Sequence, residues 1–204
     1  MGMLVEGVWK DVWYDTKATA GHFRRGDSTF RNWVTADGSA GPSGKAGFKA
    51  EAGRYHLYVA LICPWASRTV IARALKRLED AISVTVLEPA LTDQGWRFGD
   101  DAVCRPDPFH AASHLHQLYT LADPTVTGRA TVPVLWDKER GTIVNNESAD
   151  IVRMLDTAFE GLVPSDLRLY PQDLAAEIDA IDYSQLEIKP EYIDPNGHMN
   201  VGYY

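Results

Sequence analysis

Cys63 closes the apolar, aromatic-rich run of "RYHLYVALICPWASRTV" (residues 54–70) and is followed at once by Pro64 and a helical pattern. A side chain at such a strand-to-helix junction sits beside unpaired backbone N–H groups and the positive end of the helix dipole. Thiols in that setting are favoured as thiolates, and the thiolate is the nucleophile. Pro64 suits the first helical turn, where it has no N–H to waste. Position alone leaves a second role open: free cysteines are among the most buried residues, and this one could simply close the strand.

Two further features bear on that choice. Val132-Pro133 opens an apolar run, and proline cannot donate to a strand ladder. A cis X–Pro bond there would present the backbone of the preceding residue to a peptide-like ligand; a plain edge-strand proline is the alternative. Asn145-Asn146-Glu147-Ser148 stands just before a helical pattern. Such a segment can cap the helix or leave N–H groups for a carboxylate, and ordinary capping is the commoner use. Taken together, a junction cysteine, a strand-opening proline and a helix-start carboxylate site describe a pocket for glutathione.

Other candidates are weaker. His110, His114 and His116 in "HAASHLH" could place two imidazoles on one helix face. No carboxylate or thiol completes a zinc set, so no metal is expected there. Cys104, in "DAVCRPD", reads as a bystander in a polar loop.

The elements that must position Cys63 follow from periodicity. Tyr55 to Leu61 reads as a buried strand, and a helix runs from Pro64 with Ala66, Val70, Ile71, Ala74 and Leu75 at helical spacing. Lys76-Arg77 look like solvated charge near its end. "ISVTVL" (Ile82 to Leu87) is a second strand, so a right-handed parallel crossover is expected. An irregular insertion spans Glu88 to Arg129, with a helix at about Pro108 to Leu121. Val132 to Trp136 and Gly141 to Val144 flank the polar turn "DKER" as a hairpin, and Ser148 to Phe159 returns to helical spacing. The order β-α-β, insertion, β-β-α is that of an α/β, thioredoxin-like domain. Residues 1–50, with the loop "ADGSAGPSG", read as an N-terminal extension; 51–160 form the thioredoxin-like glutathione-binding domain, and 161–204 are a linker and atypical tail.

Composition sets outer bounds. The 204 residues are 45% hydrophobic, enough for one ordinary core. The two cysteines are too few for a disulfide framework, which fits a reducing compartment. A net charge of −8 argues against nucleic acid, whose phosphates need a basic surface. No apolar run is long enough to cross a bilayer, and "MGMLVEGVWKDVW" lacks the basic-then-apolar order of a signal peptide. The expectation is a cytoplasmic protein with neither membrane nor nucleic-acid partners.

Several blocks in order resemble one family. "FRNWVT", "GFKAEAGRYHLYVALICPWASRTVIARALKRLE", "GWRF", "GRATVPVLWDKERGTIVNNESADIVRML" and "LRLYP" look like the glutathionyl-hydroquinone reductases, the Xi class of glutathione transferases. The likeness runs from about Phe30 to Ile181. It implies a glutathione transferase N-terminal domain in which Cys63 is the catalytic nucleophile and glutathione the cosubstrate. By the same resemblance, Val132 pairs its backbone with the cysteinyl part of glutathione, beside Pro133 in cis. Glu147 and Ser148 hold the γ-glutamyl end, and Trp96 and Arg129 contact the peptide from the insertion. The implied reaction is reductive deglutathionylation of glutathionylated quinols, and a homodimer is compatible with it.

The resemblance stops near Ile181. Family members continue into an all-helical domain that supplies substrate-pocket tyrosines and much of a dimer interface. This chain instead runs "DYSQLEIKPEYIDPNGHMNVGYY", pointing to a truncated, fused or artificial junction. Its last residues resemble the first strand and helix start of a hotdog-fold acyl-CoA thioesterase, with Asp194 matching an acid of that family's catalytic loop. Tyr183 does not match the tyrosine motif of the hydroquinone pocket. Three functions therefore stand at the sequence level: glutathionyl-hydroquinone reduction, glutathione binding without turnover, and, remotely, thioesterase chemistry in the tail.

Overall fold

A computed structural model describes residues 2–12 and 28–180. The chain divides into two compact units, Met1–Leu169 and Tyr170–Tyr204.

The first unit is built on a sheet of four strands. β5 (Tyr55–Val59) is buried at every position, as befits a central strand covered on both faces. It continues into α1 (Pro64–Leu75), which returns the chain to β6 (Ile82–Val86), parallel to β5 from Tyr55↔Ile82 to Val59↔Val86. β9 (Val134–Asp137) lies antiparallel on the other side of β5, and β10 (Thr142–Asn145) pairs antiparallel with β9, giving the order β10-β9-β5-β6. α3 (Ser148–Thr157) then packs on α1. This is the thioredoxin-like arrangement, and its core gathers Tyr55, Leu57, Tyr58, Val59, Ile82, Trp136, Ile151, Met154 and Phe159.

The N-terminal residues add strands to this unit. β1 (Met3–Val5) and β2 (Val8–Lys10) form a hairpin turned by Glu6 and Gly7, both at positive φ. Leu4 exchanges backbone hydrogen bonds with Gly128. β3 (Trp33–Thr35) and β4 (Gly47–Lys49) pair in parallel, and the Val34 amide donates to Met154 Sδ of α3. In the insertion, β7 (Leu91–Thr92) and β8 (Gly95–Trp96) form a short hairpin, and α2 (Leu115–Ala122) packs against β8 and β10.

Several boundaries differ from the sequence reading. The strand expected to reach Leu61 ends at Val59, because the Cys63 amide donates to the Ala60 carbonyl and the intervening turn turns Leu61 and Ile62 into solvent. The insertion helix begins at Leu115 rather than near Pro108. Residues before it wrap around buried Asp107, whose carboxylate accepts the amides of Phe109, His110 and Ala112. Of the apolar residues at helical spacing in α1, Ala66 is buried and Val70 partly so, but Ile71, Ala74 and Leu75 are exposed; Thr69 and Ala72 complete the buried face. Lys76 is not solvated charge but 2% exposed, its ammonium 3.0 Å from Asp156 Oδ1. Cys104 is buried too, because Asp101 accepts its amide and Val103's and folds the loop onto β6.

In the second unit, α4 (Ala175–Asp179) follows Tyr170, whose hydroxyl donates to Asp179 Oδ2. Asp194, Tyr183 and the hotdog-like tail lie outside the described residues. Among the described residues no helix is long and apolar enough to cross a membrane.

Candidate functional site

Cys63 is the N-cap residue of α1, with extended backbone, and its side chain makes no capping hydrogen bond. The β5 ladder ends beside it and its carbonyl already accepts from Ala66 and Ser67, so the junction is held by backbone alone. The half-buried thiol packs against the edge of the core at the helix start. Its Sγ lies 3.9 Å from the Val132 carbonyl oxygen, a long S–H···O contact. Val132 and Pro133 are buried and joined by a cis peptide bond directly before β9. Cys63, Val132 and Pro133, far apart in sequence, are thus neighbours at one end of adjacent strands.

Glu147 and Ser148 open α3. Glu147 is its N-cap; Oε1 accepts the Ala149 amide at 3.4 Å and Oε2 accepts the Ser28 hydroxyl at 2.9 Å. An acceptor at this position satisfies an orphan N–H and favours the helix dipole. The turn into it is set by Asn145, whose side-chain oxygen accepts the Glu147 amide at 2.7 Å. Asn146 is buried, donating to Tyr119 Oη and to Thr131 Oγ1. The "NNES" stretch is therefore both a cap and a locked platform.

Arg68, which the sequence reading passed over, connects the two halves. One turn into α1, it donates from Nε (3.0 Å) and Nη2 (2.5 Å) to Ser148 Oγ, and Nη2 stands 3.9 Å from Glu147 Oε1. Its guanidinium lies 5.0 Å from the Trp65 ring centroid. The only sequence signal was its place five residues after Cys63 in the "CPWASR" block. Ser28 was likewise missed, since nothing local marks it.

The two insertion residues are placed less centrally. Trp96 pairs with Leu91 in the β7–β8 hairpin and packs partly buried against the core. Among the described residues it forms no hydrogen bond to Cys63, Val132, Glu147 or Ser148. Arg129 follows Gly128, the residue that ties the insertion's return to Leu4. Two of the three histidines, His114 and His116, do lie side by side, their rings stacked at 5.8 Å. His114 is the N-cap of α2, His116 stacks on Trp9 at 4.6 Å, and His110 meets Trp136 edge-on at 4.9 Å. Among the described residues no group of His, Cys, Asp and Glu is placed to hold a metal.

Cys104 is shut away by comparison. Its Sγ lies 3.4 Å from the Leu87 carbonyl, and burial, followed by the charges of Asp101 and Glu88, pushes the thiol up.

A thiol at a helix start, a cis-proline and a helix-capping Glu-Ser pair in one thioredoxin-like unit are accompanied by a sequence match. Residues 62–158 match the glutathione S-transferase N-terminal domain. The chain carries a glutathione transferase N-terminal domain. By sequence, the chain is 53% identical over 183 residues to the glutathionyl-hydroquinone reductase YqjG of Escherichia coli K12, covering 89% of the chain and 56% of that protein. It is 47% identical over 186 residues to the glutathionyl-hydroquinone reductase PcpF of Sphingobium chlorophenolicum, covering 89% and 55%. By structure it resembles the glutathione-bound form of the Escherichia coli YqjG protein, with a TM-score of 0.75 and 48% identity over 86% of the chain and 52% of that structure. The chain spans about half the length of the curated relatives it matches.

Proposed function

We propose that this glutathione transferase domain binds glutathione and reduces glutathionyl-hydroquinones through Cys63. The observation that carries the reading is the Cys63 thiol 3.9 Å from the carbonyl of Val132, beside the cis Val132–Pro133 bond. There a bound peptide would lie along the Val132 backbone with its sulfur at the nucleophile. Glu147 and Ser148 would receive the γ-glutamyl end, and Trp96 and Arg129 would border the peptide from the insertion.

In the first step the Cys63 thiolate attacks the glutathionyl sulfur. The bond between that sulfur and the ring carbon breaks, its electron pair passes to the ring, and the ring carbon takes a proton. The products are a Cys63–glutathione mixed disulfide and the free hydroquinone. A second glutathione, as thiolate, then attacks the disulfide, releasing oxidised glutathione and restoring the Cys63 thiolate. The hydroquinone thus gains a proton in place of sulfur, and its thioether-bound glutathionyl group and one glutathione thiol end as one disulfide. The chemistry uses glutathione as cosubstrate and no metal. A homodimer in the reducing cytoplasm is the setting this reading carries.

The test supplies glutathione and a glutathionylated hydroquinone and follows oxidised glutathione together with released hydroquinone. Turnover should appear and should vanish in Cys63→Ala. Turnover undiminished in that variant would sink the assignment. Calorimetric binding of glutathione with no turnover at all would reduce the function to binding.

A further inference from the structure

We infer that Trp9 is a positioning residue for glutathione: the N-terminal hairpin β1–β2 grips both segments of the insertion that carry Trp96 and Arg129, and so holds ready the two side chains that border the peptide. The inference rests on the glutathione reading given above.

The segment bearing Trp96 cannot hold itself. β7 and β8 pair through Leu91↔Trp96 and Thr92↔Gly95, and a hairpin of that length is not stable in water on its own. Its base is tied, because the Glu88 amide donates to the Arg97 carbonyl and the Phe98 amide to the Ser113 carbonyl. Its tip is held by Trp9. The indole Nε1 donates to the Asp93 carbonyl at 3.1 Å, and the ring lies so close to Gly95 that a Cβ there would stand 3.1 Å from it. Gly95 directly precedes Trp96. The same indole stacks on His116 of α2, with ring centroids 4.6 Å apart, so the tip is clamped to a helix.

The other strand of the same hairpin and its turn fix the approach to Arg129. Leu4 and Gly128 exchange backbone hydrogen bonds of 2.8 and 2.9 Å, and the Gly7 amide donates to the Val126 carbonyl at 2.9 Å. The Glu6 amide donates to Thr127 Oγ1, also at 2.9 Å. Residues 126–128 are thus zipped to β1 and its turn, and Arg129 follows at once. Leu4 is fully buried and Trp9 packs against the core, so the hairpin is anchored at both grips. Side chains fixed before the ligand arrives spare the complex the entropy of ordering them.

Calorimetry measures glutathione binding in the wild type, Trp9→Ala and Trp9→Phe, and in the same two changes made on a Trp96→Ala/Arg129→Ala background. Trp9→Ala should weaken glutathione about tenfold, the cost of ordering two long side chains only on binding. Trp9→Phe should fall between, keeping a ring on His116 without the donor to Asp93. On the background lacking both insertion side chains, Trp9→Ala should weaken binding by less than about twofold further, since nothing remains for it to position. In turnover of a glutathionylated hydroquinone, KM should rise while kcat stays within about twofold of the wild type. Iodoacetamide should alkylate Cys63 at the wild-type rate in every variant. If Trp9→Ala does not fold, Trp9→Phe carries the same comparison. Wild-type affinity in the Trp9 variants overturns the inference. So does an equal loss with and without Trp96 and Arg129, which makes Trp9 a general brace of the fold. Failure of the wild type to bind glutathione removes the functional reading itself.

Discussion

Lys76 Nζ stands 3.0 Å from Asp156 Oδ1, and both side chains are shut off from water, at 2% and 0% exposure. The ammonium also donates to the Leu167 carbonyl, and Asp156 accepts the Leu169 amide. One buried pair therefore ties the end of α1 to α3 and to the segment that follows it.

Removing one partner of such a pair leaves an uncompensated buried charge. Lys76→Met should cost about 3–5 kcal/mol of stability. Replacing both groups, as in Lys76→Met with Asp156→Leu, should recover much of that loss. Urea midpoints of the wild type and the variants decide it; a single variant as stable as the wild type would mean that the pair opens to water.

His56 predicts a pH dependence. It is buried on β5, its ring nitrogens hydrogen-bonded to Ser83 Oγ (2.7 Å) and Thr85 Oγ1 (2.9 Å). Burial, followed by the positive charge of Lys138, lowers its pKa to about 3. In the unfolded chain an imidazole titrates near 6.5. Below that pH the unfolded chain takes up the proton and the folded chain does not. The His56 contribution is thus fully present above about pH 6.5 and is lost as pH falls toward about 3, by up to about 1.4 kcal/mol per pH unit. His56→Gln should flatten the fall in unfolding free energy between about pH 6.5 and about pH 4.5. Parallel profiles for the two proteins would contradict this.

The two cysteines should react in a fixed order. Cys63 is half-buried at a helix start, whereas Cys104 is 6% exposed and burial pushes its thiol up. Limiting iodoacetamide on the folded protein should label Cys63 first, and glutathione disulfide should form its mixed disulfide there. Peptide mapping by mass spectrometry reads the order. Labelling of Cys104 ahead of Cys63 would count against Cys63 as the nucleophile.

Gly141 closes the β9–β10 turn at φ +59°, and an added Cβ would meet no heavy atom within 4 Å. Only the backbone conformation opposes a side chain there. Gly141→Ala should cost about 1 kcal/mol, and Gly141→Asn less, because asparagine tolerates the left-handed region. Thermal unfolding measures both; an unchanged Tm for alanine would mean that the turn relaxes.

Much of the frame is legible from local pattern. The buried run at Tyr55, the helical spacing after Pro64, the "ISVTVL" strand and the hairpin around "DKER" each carry their period within a few residues. Cys63 at its junction, Pro133 ahead of its strand and Glu147-Ser148 at a helix start are legible for the same reason. Their backbone roles are set by immediate neighbours.

What only the tertiary structure decided depends on partners distant along the chain. Lys76 looks like any charge at a helix end until Asp156 arrives from 80 residues away. Arg68 reads as a helix-surface cation until the sheet brings Ser148, again 80 residues on, against it. Cys104 looks like a loop residue until Asp101 folds that loop onto β6, and the insertion helix starts late because Asp107 gathers the amides before it. Local periodicity predicts which backbone forms a strand or a helix. Burial of a charge, a thiol or a carboxylate is settled only when another element covers it and satisfies its hydrogen bonds.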